Sequence, residues 1–172
     1  MVLPLIWILT DPRSLIERIR HYFTLKSLSI SLAELFLLVA GLASREFLPW
    51  PKTGIDNLMI FFGLILFFSG MFLAVWAKIA MKTKWGLPGE HDIKRQNEIL
   101  DRGPFAISRN PIYIGLISVI LGYTLALRSW AIFLVPFVIF YFYKAILKEE
   151  RNLTKYFGKK YLDYKSKVPR FI

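Results

Sequence analysis

Residues 58–77 read LMIFFGLILFFSGMFLAVWA, twenty residues without a charge. A run of that length matches the hydrocarbon thickness of a bilayer when it is coiled as a helix. A helix is also what lipid demands, because every backbone N–H and C=O must then be bonded within the segment. Working outward, residues 111–127 give 17 more uncharged positions, and residues 129–143 give 15. The last of these extends through Lys144, whose long stem lets its ammonium reach the interface. Residues 28–44 give 17 with one interruption, Glu34. These segments predict an all-α integral membrane helical bundle with about four transmembrane helices. Composition agrees: 55 % of the 172 residues are hydrophobic and 16 % aromatic, more apolar surface than a globule of this size can bury. Met1 to Thr10 is apolar but too short to cross, and it lacks the basic start and small-residue cleavage site of a signal peptide.

The net charge of +11 invites a nucleic-acid reading, but its placement follows the membrane. With four spans, segments 1–27, 78–110 and 144–172 share one side and carry 4, 7 and 9 Lys or Arg. The other side has only Arg45, Lys52 and Arg128. The positive-inside rule then makes the protein multi-pass with both termini in the cytoplasm. Topology and contact with anionic lipid account for the basic excess, and no nucleic-acid partner is needed. There is no cysteine, which excludes disulfides, thiolate catalysis and cysteine metal sites. His21 and His91 are far apart in sequence, and no metal site is expected.

The chain reads as a single membrane domain, 1–172. Residues 1–27 form an N-terminal interfacial segment, in which 11–26 have the pattern of an amphipathic helix. Residues 28–94 hold the first two spans and a loop, and 95–172 hold most of the polar signals. Gly63, Ser69, Gly70 and Ala74 are small residues suited to close helix contact. Glu34, an acid within a span, is either functional or paired near the interface. Segment 78–110 is too long for a plain connector, and a soluble ligand has room there. Arg128-Ser129 makes a tight turn, so the third and fourth spans form an antiparallel hairpin. The helix after Tyr143 is expected to run to about Phe157 and stop at Gly158.

Three polar segments flank that hairpin. Arg109-Asn110-Pro111-Ile112-Tyr113 opens the third span, with Asn110 placed as an N-cap and Pro111 at the first helical position. Arg109 beside the positive end of a helix offers a site for a carboxylate or phosphate. Glu149-Glu150 lies at the end of the fourth span; neighbours on a helix point about 100° apart, so one can face inward and the other water. Gly103-Pro104 marks a turn just upstream. The hairpin brings the ends of both spans to one side, so Arg109 and the two glutamates are expected to be neighbours.

In order, GPF (103–105), RNPIY (109–113), EE (149–150), FGKKYLDY (157–164) and KVPRFI (167–172) resemble the isoprenylcysteine carboxyl methyltransferase family. The resemblance covers residues ~95–172. Phospholipid N-methyltransferases resemble the same pattern more distantly, as do sterol reductases of the related membrane fold. The resemblance implies S-adenosyl-L-methionine as methyl donor, held in a cytoplasmic pocket, and a lipophilic methyl acceptor arriving from the bilayer. By position it implies a cofactor site of Asn97, Ile99, Leu100, Gly103, Phe105, Arg109, Asn110, Tyr113, Glu149 and Glu150. Ile99 and Leu100 would line the adenine side, with Arg109 and Glu150 as the catalytic candidates. Eukaryotic members have His where this chain has Asn110, and usually where it has Asn97. An Asn amide donates a hydrogen bond as a neutral imidazole does but moves no proton near neutral pH. The chain thus resembles a minimal, prokaryote-like member.

Arg109 and the helix start suit the donor's carboxylate, and a glutamate its ammonium or ribose hydroxyls. Tyr113 and Phe105 offer rings to a sulfonium. In-line methyl transfer depends chiefly on alignment. An ionised carboxylate acceptor needs no base, whereas an amine acceptor benefits from one. The expectation is methyl transfer to the carboxylate of a prenylcysteine or similar isoprenoid or lipid molecule. The alternatives are a phospholipid amine N-methyltransferase, a nicotinamide-dependent membrane reductase, and a scaffold without catalysis.

Overall fold

The computed structural model describes residues 25–81 and 98–172. The expected interfacial helix 11–26 falls outside these residues but for its last two positions, as do residues 82–97 of the 78–110 segment, Asn97 among them, and the side chain of Glu34. Six helices appear in the described residues, with no strand: α1 (Leu25–Phe47), α2 (Asp56–Met81), α3 (Pro104–Ile107), α4 (Pro111–Ala126), α5 (Val135–Phe157) and α6 (Lys159–Lys167). A 3-10 turn, Trp130–Leu134, leads into α5.

Among the described residues, two helical segments, Asp56–Met81 and Trp130–Phe157, are long and apolar enough to cross a membrane. Of the four expected spans, length and composition support these two. α4 has 16 residues and is about 24 Å long; Pro111 fixes its start and the Arg128 turn its end. Burial is inverted relative to a water-soluble protein. Phe61, Phe62, Phe68 and Phe72 of α2 and Phe137 and Phe140 of α5 are all more than half exposed. Much of the interior is small: Ala74 and Ala77 are fully buried, and Gly63 and Gly70 are buried with them. Large outward aromatics suit lipid as solvent, where an aqueous surface would leave them as an apolar patch.

The small residues explain how α2 and α4 meet. The helices run antiparallel with backbones in contact. A Cβ added at Gly63 would stand 2.5 Å from the Ala126 nitrogen, and one at Gly70 2.7 Å from the Gly115 carbonyl oxygen. From the other side, a Cβ at Gly115 would stand 2.7 Å from the Ala74 nitrogen, and one at Gly122 would strike Phe67 and Gly63 backbone. Lipid gives apolar helices no hydrophobic drive to associate, so close van der Waals contact at small residues supplies it. Ser69, grouped with these residues in the sequence, is exposed, and its hydroxyl donates to the Leu66 carbonyl of its own helix. At the α3 end of the seam, Leu100 and Phe105 pack on a cluster of Ala74, Ala77, Met81, Ile112 and Leu116.

α1 joins through α4 and the hairpin turn. The Tyr123 hydroxyl donates to the Leu38 carbonyl at 2.7 Å, and Ser44 and Ser129 share a hydroxyl hydrogen bond. Arg128 adopts φ 53°, a conformation unusual for a residue with a Cβ. Its guanidinium reaches the Trp50 carbonyl at 3.1 Å, the Pro51 carbonyl at 3.2 Å and Asp56 at 3.1 Å. The Trp50 and Trp130 rings lie 4.4 Å apart at this end. The Arg109–Glu150 cluster forms at the opposite end of α4.

Candidate functional site

Four stretches converge there: Ser108 to Tyr113, the end of α5, α6, and an arm from Val168 to Ile172. Backbone chemistry sets their approach. Gly158 ends α5 with φ 55° and ψ −126°, a combination open to glycine and strained for other residues. It turns the chain into α6, which carries the arm back towards α4. The Arg109 backbone N–H donates to the Pro169 carbonyl at 2.9 Å. The Arg170 carbonyl accepts from the Ser108 hydroxyl at 3.0 Å and the Asn110 amide at 3.2 Å. The Tyr164 hydroxyl donates to the Phe105 carbonyl at 2.7 Å.

Glu150 is the centre of this knot. It is 4 % exposed, and an unpaired carboxylate so buried would cost several kcal/mol. Its partners remove the penalty. Arg109 Nη2 lies 3.3 Å from Oε1, and Arg170 donates from Nε to Oε1 at 3.0 Å and from Nη2 to Oε2 at 2.9 Å. Asn110 Nδ2 donates to Oε1 at 3.3 Å, and the Lys165 ammonium stands 4.0 Å from Oε2. The adjacent Glu149 is half-buried and accepts from the Tyr113 hydroxyl. Both glutamates therefore engage the start of α4, although they point in different directions.

The surroundings hold the network in one protonation state. Hydrogen bonding to the Glu150 carboxylate raises the Arg170 pKa above its ordinary value. Burial pushes the Tyr161 and Tyr164 phenols well above theirs, and the nearby Glu150 charge adds to both shifts.

The structure brings together Arg109, Asn110, Tyr113, Glu149 and Glu150, which the sequence placed as neighbours. Asn110 stands at the expected N-cap position but makes no capping bond with its side chain, because the amide is drawn to Glu150. Phe105 lies nearby, its ring against the α2–α4 cluster and its carbonyl held by Tyr164. Leu100 packs on the same cluster, and Ile99 is half-buried beside it. Gly103 takes φ 62° and ψ −133° next to the Trp76 ring, so the turn depends on the missing side chain. Sequence reasoning missed Ser108, Tyr161, Lys165 and Arg170 as members. Tyr161 and Tyr164, three apart in a polar stretch, were the legible signal for an inward face; nothing local marked Arg170.

The donor set suits a ligand carrying both charges. The Tyr113 hydroxyl and the Glu149 carboxylate are held together at one place by their hydrogen bond. Arg109 Nε is buried and has no hydrogen-bond partner among the described residues, so a donor remains there for a carboxylate. Among these residues no group of His, Asp and Glu has the arrangement of a metal site.

Comparison with known proteins adds one finding. A family model described as phospholipid methyltransferase matches residues 58–160, which include all but the first two residues of α2, all of α4 and α5 and both glutamates, and stop before most of α6 and the arm. No curated protein and no solved structure matches the chain.

Proposed function

The chain belongs to the phospholipid methyltransferase family, the family of isoprenylcysteine carboxyl methyltransferase-like membrane methyltransferases, and on that premise we propose S-adenosyl-L-methionine-dependent methyl transfer to the carboxylate of a prenylcysteine or similar isoprenoid or lipid acceptor. The observation that carries this reading is the interlocking of two motifs 40 residues apart, Asn110 with Glu150, beside Tyr113 with Glu149. Arg109 Nε would take the donor's carboxylate, Glu149 its ammonium or ribose hydroxyls, and the Tyr113 ring its sulfonium face. The sulfonium supplies an electrophilic methyl group. Glu150, tied to two guanidiniums, positions Arg109 and Asn110 and moves no proton. Ile99, Leu100, Gly103 and Phe105 shape the neighbouring loop. Both termini and the Glu150 end face the cytoplasm, and the whole chain acts as a single membrane domain.

The family description itself favours a second acceptor, a phospholipid amine. Such an amine must lose a proton, and Glu149, half-buried beside Tyr113, is the group suited to take it.

The test is a titration of the purified full chain in detergent with S-adenosyl-L-methionine and, separately, with NADPH. Binding of the first alone is expected, weakened by ~1–3 kcal/mol in Arg109→Ala. A folded protein that ignores the methyl donor would sink the reading.

A further inference from the structure

On the outer side of the Glu150 knot the surface opens into a cleft of about 560 Å³. Leu147, Arg151, Thr154 and Lys155 line it from α5, Lys165 from α6 and Arg170 from the arm. Glu150, the one acid in the lining, is already paired with Arg109 and Arg170. Arg151 bonds the Leu147 carbonyl at 3.1 Å. Neither Arg151 nor Lys155 has a carboxylate partner among the described residues. The cleft thus holds cations that its own acid does not neutralise.

The helix that carries Arg151 and Lys155 supplies the second half of the observation. Stepping back along α5 by three or four residues from Leu147 and Arg151 reaches Tyr143 and Lys144, then Phe140 and Phe137 on the same face. Phe137 is 72 % exposed and Phe140 58 %. The Lys144 ammonium lies 4.4 Å from the centre of the Phe140 ring, its stem laid along the apolar face. Within about 25 Å of helix, one continuous face passes from lipid-facing aromatics to a basic cleft. A phospholipid has the same sequence of chemistry, acyl chain and then phosphate.

We propose that this face of α5 binds an anionic phospholipid, with acyl chains along Phe137 and Phe140 and its phosphate among Arg151, Lys155 and Lys165. A net-negative headgroup fits where a choline or ethanolamine headgroup does not, since its ammonium would enter among the same cations. The lipid is a bound ligand beside the methyl-transfer cluster and is not its acceptor. Lys165 and Arg170 belong to both the cleft and the Glu150 knot, so a bound phosphate draws on cations that also hold Glu150.

The test uses the full chain in detergent, without methyl donor, and native mass spectrometry to count retained phosphatidylglycerol against phosphatidylcholine. Preferential retention of phosphatidylglycerol is expected. Arg151→Gln with Lys155→Gln should lower it by roughly fivefold for each charge removed, while Lys159→Gln, outside the cleft, leaves it unchanged. Equal retention of the two lipids overturns the proposal. So does an equal loss in Lys159→Gln, which would mark diffuse surface attraction, or displacement by inorganic phosphate at matched concentration, which would mark a free-anion site. If the double variant melts early, Lys155→Gln alone carries the comparison, because Lys155 is exposed and bonds nothing among the described residues. Failure here leaves donor binding untouched, so it is distinguishable from failure of the methyltransferase reading.

Discussion

Arg170 grips Glu150 with two nitrogens, Nε on Oε1 at 3.0 Å and Nη2 on Oε2 at 2.9 Å. The fork is a planar guanidinium matched to a planar carboxylate, a geometry that lysine cannot copy. It ties the arm to α5 from outside the stretch that the family match covers.

Arg170→Lys keeps the charge and loses the fork. It should lower stability by about 1 kcal/mol, against about 2–3 kcal/mol for Arg170→Ala, the range for hydrogen bonds to charged groups. Thermal unfolding in detergent measures both, and equal midpoints for the two variants would show that the fork geometry contributes nothing.

The two glutamates should behave unequally. Glu150→Gln leaves Arg109, whose side chain is 7 % exposed, without its counter-charge, and a broken buried pair costs about 3 kcal/mol or more. Glu149→Gln keeps an acceptor for Tyr113 and should cost about 1 kcal/mol or less. Under the proposed function Glu149→Gln instead weakens donor binding. Unfolding midpoints and donor titration on the same preparations separate the effects.

Gly122→Ala drives a methyl group into Phe67 and Gly63 backbone, and overpacking of this kind costs about 1–3 kcal/mol. Gly54→Ala adds the same methyl with nothing within 4 Å and should leave the midpoint unchanged. A tolerated Gly122→Ala would mean that α2 and α4 do not meet as described.

Alkaline stability follows from the buried phenols. Tyr161 and Tyr164 hold their protons above the ordinary tyrosine value. Below about pH 10, both folded and unfolded chains carry neutral tyrosines, and this contribution is fully present. Above it, the unfolded chain releases protons that the folded chain retains, so stability falls as pH rises. The unfolding midpoint should drop from about pH 10 upward, and Tyr164→Phe should flatten the drop. An unchanged slope in that variant would count against it.

What the sequence disclosed followed from long-range rules with few exceptions. An uncharged run of 20 residues at 58–77 has no alternative to a helix in lipid, and α2 contains it. Gly158 stops α5 where a residue tolerant of positive φ was expected. The short Arg128-Ser129 turn forces the hairpin, and with it the meeting of Arg109 and Glu150. The failures have local causes. α6 was missed because KKYLDYKSK lacks an apolar stripe; two tyrosines supply its inward contacts. Asn110 was read as a cap because local bonds usually claim an Asn at that position, yet a buried carboxylate from another helix competes more strongly. Arg170 sits between Pro169 and Phe171 in a segment with no periodicity, so only the three-dimensional return of the arm reveals its role.

The α2–α4 seam also constrains how this protein can vary. In most interiors a new methyl group is accommodated by trimming a side chain opposite. Opposite Gly63 and Gly122 stands backbone, which offers nothing to trim. A substitution at either position has no second-site remedy within the seam, so these glycines are positions where drift ends, while the outward-facing phenylalanines of α2 remain free to exchange.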